Sequence, residues 1–502
     1  MIYIINPASR KHKEVMHTLD QPSLRLPYGP AVLTSYLKKK GFNTVLVDLR
    51  QEVKQDTIKK LNDEDIINWV EKSILTENLK KYFEECLRFL PNLQDVKIIG
   101  FSIFSYMEYG GGIALAKHIK TMFPDIIICA GGPHMTIKKA PRFGFIDYVV
   151  QGFGNKPFEH IANHVLNNGE LDLSFPGLSI IKDGDIISNK PNIEVAEEEE
   201  MPDFTDLDLK KYIYNYSKND RVLAVPYRIN IGCHNACSFC AFRLGYGYSY
   251  KSVDKVVKEM VALNQLHEHV YFAFADCTTT NNLAYLNNLL DEMIAQKLNV
   301  RWQACANIDK VSEELLDKMA KAGCKRIYWG FEHFSPKMQK IYNKTFDIKS
   351  ALKFIKITSA KKIESEISFI FNGPLEEMED LNIQSKYIKK VLCFPKVVVR
   401  NYFFKLNENT LMYKKPAKYG IEILSEPSPF EETIRWEIKN MSEESSRKRM
   451  KEHDNIRQQL TILNDLVIKV RKNFHYIPVS LIMPLLVIIS RLYFRVINKE
   501  YM

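Results

Sequence analysis

Three thiols carry the most specific chemistry in this chain. They lie in the run Ile231-Gly232-Cys233-His234-Asn235-Ala236-Cys237-Ser238-Phe239-Cys240, at the spacing C-x3-C-x2-C. Thiolates are the soft ligands that iron–sulfur clusters take, and a cubane ordinarily fills its corners with four of them. Three would leave one iron open, and an open iron can chelate the amino and carboxylate groups of a small molecule. The competing reading is a zinc knot or three buried thiols. No fourth nearby cysteine completes a zinc site, however, and His234 falls inside the first loop. The other cysteines, at 86, 129, 277, 305, 324 and 393, are expected to be small core residues.

Such a loop needs a rigid platform. From 226 to 430 the sequence alternates apolar runs at 228–231, 270–275, 300–304, 326–330, 365–371 and 396–404 with helical patterns such as 253–265 and 312–322. Six parallel strands with intervening helices predict a partial (β/α)6 barrel, with the thiol loop at the carboxyl end of its first strand. That is the end at which such barrels build their active sites.

The loop, with Phe239 just ahead of the last cysteine, resembles the signature of the radical S-adenosylmethionine (SAM) superfamily. The resemblance implies a [4Fe-4S] cluster on Cys233, Cys237 and Cys240, reductive cleavage of SAM to a 5′-deoxyadenosyl radical, and an adenine contact from Phe239. It extends over most of residues 226–420. Gly330-Phe331-Glu332 is similar to the family's G-x-E element, whose acid binds the SAM amino or ribose groups. Phe371-Asn372-Gly373-Pro374 resembles the turn whose glycine lets SAM approach the backbone. Asn307 stands where many relatives carry an arginine, so the resemblance supplies no partner for the SAM carboxylate.

Residues 1–168 read as a doubly wound α/β domain of flavodoxin-like (Rossmann-type) layout. Strands are expected at 1–6, 43–48, 96–103, 125–130 and 146–150, helices at 28–40, 110–122 and 156–168, and an inserted helical stretch at 56–90. Ligands of such sheets collect beyond the carboxyl ends of the strands, where 102–105, 131–134 and 152–154 would lie. Ser102-Ile103-Phe104, followed after 26 residues by Gly131-Gly132, resembles the cobalamin-binding pattern of a small hydroxyl residue and a glycine pair. With Gly131-Gly132-Pro133-His134-Met135-Thr136 and Leu26-Pro27-Tyr28-Gly29-Pro30-Ala31, this is similar to the cobalamin-binding subfamily of radical SAM proteins, class B methyltransferase-like.

That resemblance implies cobalamin held by Ser102, Gly131, Gly132 and His134, and methylation of an unactivated carbon in a small-molecule, peptide or lipid substrate. Rearrangement, cyclisation or oxidation without methyl donation is one alternative, and an iron–sulfur electron carrier without SAM turnover is another. The D-x-H-x-x-G element of other cobalamin proteins is absent, and residues 152–155 read Gly-Phe-Gly-Asn where the subfamily usually reads G-E-G-E. A cobalamin-type fold that has lost its ligand therefore stays open.

Between these parts, 169–225 reads as a linker with a hairpin about Asp183-Gly184, and 431–502 as a C-terminal helical region. The apolar run 477–490, interrupted by Pro478 and Pro484 and followed by Arg491 and Arg495, is short for a membrane span. A helix packed into the core is the preferred expectation, and a peripheral membrane contact the alternative. Across 502 residues Lys and Arg exceed Asp and Glu by 70 − 60 = 10, scattered without a basic tract interleaved with aromatics, so no nucleic-acid partner is expected. Nine cysteines without a paired framework, and no leader at Met1, point to a cytoplasmic protein. The radical SAM resemblance implies an electron donor such as flavodoxin or ferredoxin as a partner.

Overall fold

The computed structural model describes residues 1–9, 25–135, 144–182, 185–217, 220–241, 247–425, 428–431, 434–474 and 478–499. The chain divides into two compact units, the first holding Met1–Pro226 with a short later segment at Pro429 and Phe430, the second starting at Tyr227.

In the first unit, β1 (Ile2–Asn6), β2 (Thr44–Asp48), β3 (Ile98–Ser102), β4 (Ile127–Gly131) and β5 (Tyr148–Val150) pair in parallel in the order β2-β1-β3-β4-β5. All five residues of β1, IYIIN, are buried. Such an unbroken apolar run suits a strand covered by helices on both faces. Helices Tyr28–Lys39 and Tyr106–Met122 cross between parallel strands, and Asn155–Asn167 follows β5. Helix Tyr106–Met122 begins at a capping box in which Ser105 and Glu108 each accept a backbone N–H of the other's turn. The inserted stretch is three helices, Gln55–Lys59, Asp63–Lys72 and Glu77–Leu87, which bury Trp69, Tyr82 and Phe83 in the core.

The stretch 169–225, read as a linker with a hairpin, does carry a hairpin. Its strands β6 (Leu178–Lys182) and β7 (Asp185–Ser188) form an antiparallel hairpin added to β5, and the first unit runs on to Pro226. Leu178 and Ile180 are buried, giving this edge an apolar anchor. The turn at 183–184 lies outside the described residues.

Hairpin strands β8 (Ile213–Ser217) and β9 (Asp220–Tyr227) lead into the second sheet, and β10 (Asn230–Ile231) pairs antiparallel with β11 (Ser249–Tyr250). The strands β12 (Val270–Phe274), β13 (Arg301–Ala306), β14 (Cys324–Glu332), β15 (Glu364–Phe371) and β16 (Val397–Phe403) pair in parallel, and the whole order is β16-β15-β14-β13-β12-β9-β8. Six strands from β9 to β16 make the partial barrel. Its first strand is not 228–231, as the sequence suggests, but Asp220–Tyr227. Pro226, which has no N–H to give a ladder, is buried near the end of this strand. Helices Val253–Leu263, Leu283–Ala295, Glu313–Lys321 and Ile348–Ala360 start where Ser252, Asn282, Ser312 and Asp347 accept first-turn N–H groups.

A small antiparallel pair, β17 (Ile421–Ser425) and β18 (Arg435–Ile438), straddles residue 430 before the helical end begins. Helix Glu443–Asn473 then packs Leu460, Leu463 and Val467 inward. Asn464 Oδ1 accepts Val399 N at 3.0 Å, and Arg471 donates to the carbonyls of Leu392 and Phe394 at 2.6 Å each. Helix Val479–Lys499 follows. It does not enter the core as preferred from the sequence, since only 28% of Val479–Val496 is buried.

Candidate functional site

The thiol loop is tied down at its root and its middle. At the root, Asp276 Oδ1 accepts Ile229 N at 2.8 Å and Asn230 N at 3.0 Å. Burial pushes the Asp276 carboxyl up to about 7, against the pull of those two N–H donors and of Arg228 and Lys251. In the middle, buried Ser238 donates its N–H to Tyr342 O at 3.0 Å and its hydroxyl to Ile341 O at 2.7 Å, while Met412 N donates to Ser238 O at 3.0 Å. Asn343 Nδ2 reaches Ala236 O at 2.9 Å. Residues 341–343, at the end of helix Pro336–Tyr342, and Met412 thus clamp the segment on either side of the second cysteine.

Cys237 is buried, while Cys233 and Cys240 are half-buried. Burial raises the Cys237 thiol to about 11; Lys344 counters this, and Cys240, Glu332 and Cys233 add to it. The three thiols therefore share one electrostatic neighbourhood. Among the described residues no three His, Cys, Asp or Glu side chains are drawn together at metal-binding distance. Cys277, expected to be a plain core residue, feels the same neighbourhood: burial and the Cys233 and Cys240 thiols push it up to about 12.

The surroundings fit a bound polar group. Asn230 Oδ1, Asp276 Oδ2, Thr279 Oγ1, Asn281 Nδ2 and the Tyr342 hydroxyl are buried with no hydrogen-bond partner among the described residues. Buried polar atoms left unpaired are rare and costly. Here they flank the soft-thiol loop, where Cys233 Sγ lies 3.7 Å from Asn281 Oδ1. The donor set and these orphaned atoms together suit an iron–sulfur cluster with a polar ligand.

Glu332, at the end of β14, adopts φ +62° beside a strand irregularity. Its carboxylate pairs with Lys344 Nζ at 3.0 Å and accepts the Ser368 hydroxyl at 3.1 Å. Gly330 makes that possible, because a methyl there would come within 2.4 Å of Lys344 Nζ and 2.5 Å of Glu332 Oε1. A methyl at Gly373 would come within 2.1 Å of the Tyr342 hydroxyl, so here a side chain takes the close approach expected of SAM. Phe239 packs edge-on against Tyr342, 5.3 Å between ring centres.

Sequence reasoning missed what holds the Gly373 turn. Gly373 N donates to Glu376 Oε2 at 2.9 Å, and the same carboxylate accepts His333 Nε2 at 2.8 Å and His453 Nδ1 at 3.1 Å. Burial opposes the Glu376 charge, but the two histidines win and hold its carboxyl down at about 2. Arg449, on the same long helix as His453, donates to Asn372 Oδ1 and Gly373 O at 2.6 Å each.

In the first unit the structure brings the four other expected residues to one end of the sheet. Ser102 and Gly131 are register partners at the carboxyl ends of β3 and β4. Gly132 has φ +105°, and a methyl on it would meet Ile103 O at 2.5 Å. His134 donates from Nε2 to Pro429 O at 2.8 Å and sets its ring edge-on to Tyr109. Phe104 stands 68% exposed beside them. The strand order reverses between β1 and β3, so this end is a topological switch point, where doubly wound folds bind ligands. A small-residue rim beside an exposed aromatic fits a corrin tail. Gly132→Ala is expected to lower stability by about 1–3 kcal/mol, as a strained left-handed position with a backbone clash should; urea denaturation of the purified variant measures it.

Residues 227–383 match the model described as the Radical SAM superfamily. This stretch is a radical SAM domain. An uncharacterized methyltransferase of Pyrococcus horikoshii is 25% identical over 307 residues, 59% of this chain and 65% of its own. An anaerobic magnesium-protoporphyrin IX monomethyl ester cyclase of Rubrivivax gelatinosus is 27% identical over 283 residues, 54% of this chain and 49% of its own. The chain therefore matches less than two thirds of either relative. Among solved structures, the radical SAM methyltransferase TsrM of Kitasatospora setae, with cobalamin and a [4Fe-4S] cluster bound, superposes with TM-score 0.65 over 91% of this chain and 88% of its own at 16% identity. The cobalamin-dependent radical SAM enzyme OxsB superposes with TM-score 0.70 over 98% and 72% at 15% identity. These likenesses establish the α/β fold, a doubly wound unit and a partial barrel with a helical C-terminus.

Proposed function

We propose that the chain is a cobalamin-dependent radical SAM methyltransferase, with a [4Fe-4S] cluster on Cys233, Cys237 and Cys240, acting on an unactivated carbon of a small-molecule, peptide or lipid substrate. The observation that carries this is one loop at the head of the radical SAM domain that holds three thiols at C-x3-C-x2-C beside orphaned buried polar atoms. When bound, the cluster supplies the electron that cleaves SAM, and cobalamin supplies the methyl group. Lys344 favours thiolate at Cys237, and Glu332 offers its carboxylate to the SAM amino or ribose groups. Ser102, Gly131, Gly132 and His134 form the rim for cobalamin. TsrM has also been solved with a tryptophan substrate and a SAM analog, which supports a small-molecule substrate. The cyclase relative favours a second reading, ring closure without methyl gain.

Anaerobic incubation with SAM and a one-electron reductant tests the reading, a flavodoxin or ferredoxin being the donor proposed in a reducing cytoplasm. Release of 5′-deoxyadenosine with a product heavier by one SAM-derived methyl group supports it. Release without a mass gain favours cyclisation, and no release leaves only an iron–sulfur carrier. Cys277→Ser is expected to keep the full iron and sulfide content after reconstitution, because the fourth corner of the cluster is left for SAM; elemental analysis checks this.

A further inference from the structure

Helix Val479–Lys499 contains no acidic residue and presents two different faces. Val479, Met483, Leu486, Ser490 and Phe494 are buried, and the helix packs along Glu443–Asn473. The opposite face exposes Leu481, Leu485, Ile488, Ile489, Leu492, Tyr493 and Val496, between 38% and 75% accessible. At about 100° per residue these seven cover roughly 140° of the helix circumference in one continuous stripe. Arg491 and Arg495, one turn apart and exposed, border the stripe on one side.

Beside that border is a cleft of about 160 Å³ lined by Lys389 and Arg491 with Asn382, Ser385, Gln459 and Ser490. Two cations face it, and among the described residues no carboxylate lines it. Burial, and Arg491 beside it, hold the Lys389 pKa below its ordinary value. Like charges brought together without a counter-ion are the environment an anion relieves.

We propose that this helix is a membrane-surface anchor that seats its apolar stripe in a bilayer while Lys389 and Arg491 take the phosphate of an anionic lipid headgroup. By length and composition the helix could cross a membrane. Spanning would strip Met483, Leu486 and Phe494 from their packing and carry Arg491 into hydrocarbon, both costly. Lying in the interface keeps the packed face on the protein and the arginines at headgroup depth, as amphipathic anchors do. The inference stands on this surface alone and does not depend on the chemistry of the thiol loop.

The full-length protein is floated with vesicles of phosphatidylcholine, alone or mixed with phosphatidylglycerol, at low and high salt. Flotation about tenfold or more stronger on the anionic vesicles, falling with salt, is expected, since each cation near an anionic surface contributes about fivefold. The exposed pair Leu485→Glu and Leu492→Glu should abolish flotation without changing the thermal midpoint. Lys389→Gln with Arg491→Gln should erase most of the anionic preference while retaining residual binding. Absence of flotation, or flotation unchanged by the two glutamates, overturns the proposal. Equal flotation on both vesicle types removes the headgroup site. A dimer that the glutamates convert to a monomer would make the stripe a contact between copies and equally overturn it.

Discussion

Cys237→Ala is expected to abolish 5′-deoxyadenosine formation to the level of a no-enzyme control while leaving a folded chain. Cys237 is the thiol buried most deeply of the three and the one whose loop segment is clamped on both sides, by Tyr342 O and Met412 N at Ser238. Losing it removes one of three protein ligands, and two thiolates cannot hold the cluster in a geometry that leaves one corner for substrate. The stability cost should be small, about 1 kcal/mol, because a short side chain is trimmed by one atom in a place where the neighbours can close in. Iron content, visible absorbance and the thermal midpoint, measured on the same anaerobic sample, separate loss of the cluster from loss of the fold. Retained turnover would remove the assignment of this cysteine.

Glu376→Ala is expected to destabilise the second unit by about 3–5 kcal/mol, the range for breaking a buried ionic cluster by removing one member. Its carboxylate side chain is fully inaccessible and serves His333, His453 and the N–H of Gly373 together. The acid limb of the stability profile should report the same group. Its folded pKa is held down to about 2 against an ordinary 4.5, chiefly by the two histidines overcoming burial. A depressed carboxylate contributes stability that is fully present above its unfolded value and is lost as pH falls through the folded one. The window is therefore between about pH 4.5 and pH 2, and the contribution is about 3 kcal/mol, at 1.36 kcal/mol for each unit. Glu376→Gln should flatten that window in urea denaturation series from pH 7 to pH 3. Because the same carboxylate and Arg449 hold the Asn372-Gly373 turn, both Glu376 variants should also raise the KM for SAM more than they lower kcat.

The cysteine triplet was legible from residue types alone, since thiols are sparse in this chain and few placements put three on one short loop. The alternation of apolar runs likewise determined both sheets, because parallel strands covered by helices must be apolar throughout, as in β1. The sequence suggests the first barrel strand at 228–231 whereas it ends at Tyr227, and the hairpin of β6 and β7 was legible from its turn although its place at the edge of a sheet was not.

Other features had no local signature. Lys344 meets Glu332 across 12 residues and Arg449 meets Asn372 across 77, and with 70 lysines and arginines in the chain neither could be singled out. The apolar run near the C-terminus is the clearest division. Its composition determined that a helix with a wide apolar surface would form, but composition does not say which part of that surface finds a partner. That was decided when the long helix Glu443–Asn473 covered one face and left the other in contact with solvent, because burial belongs to the packed pair and not to either helix alone.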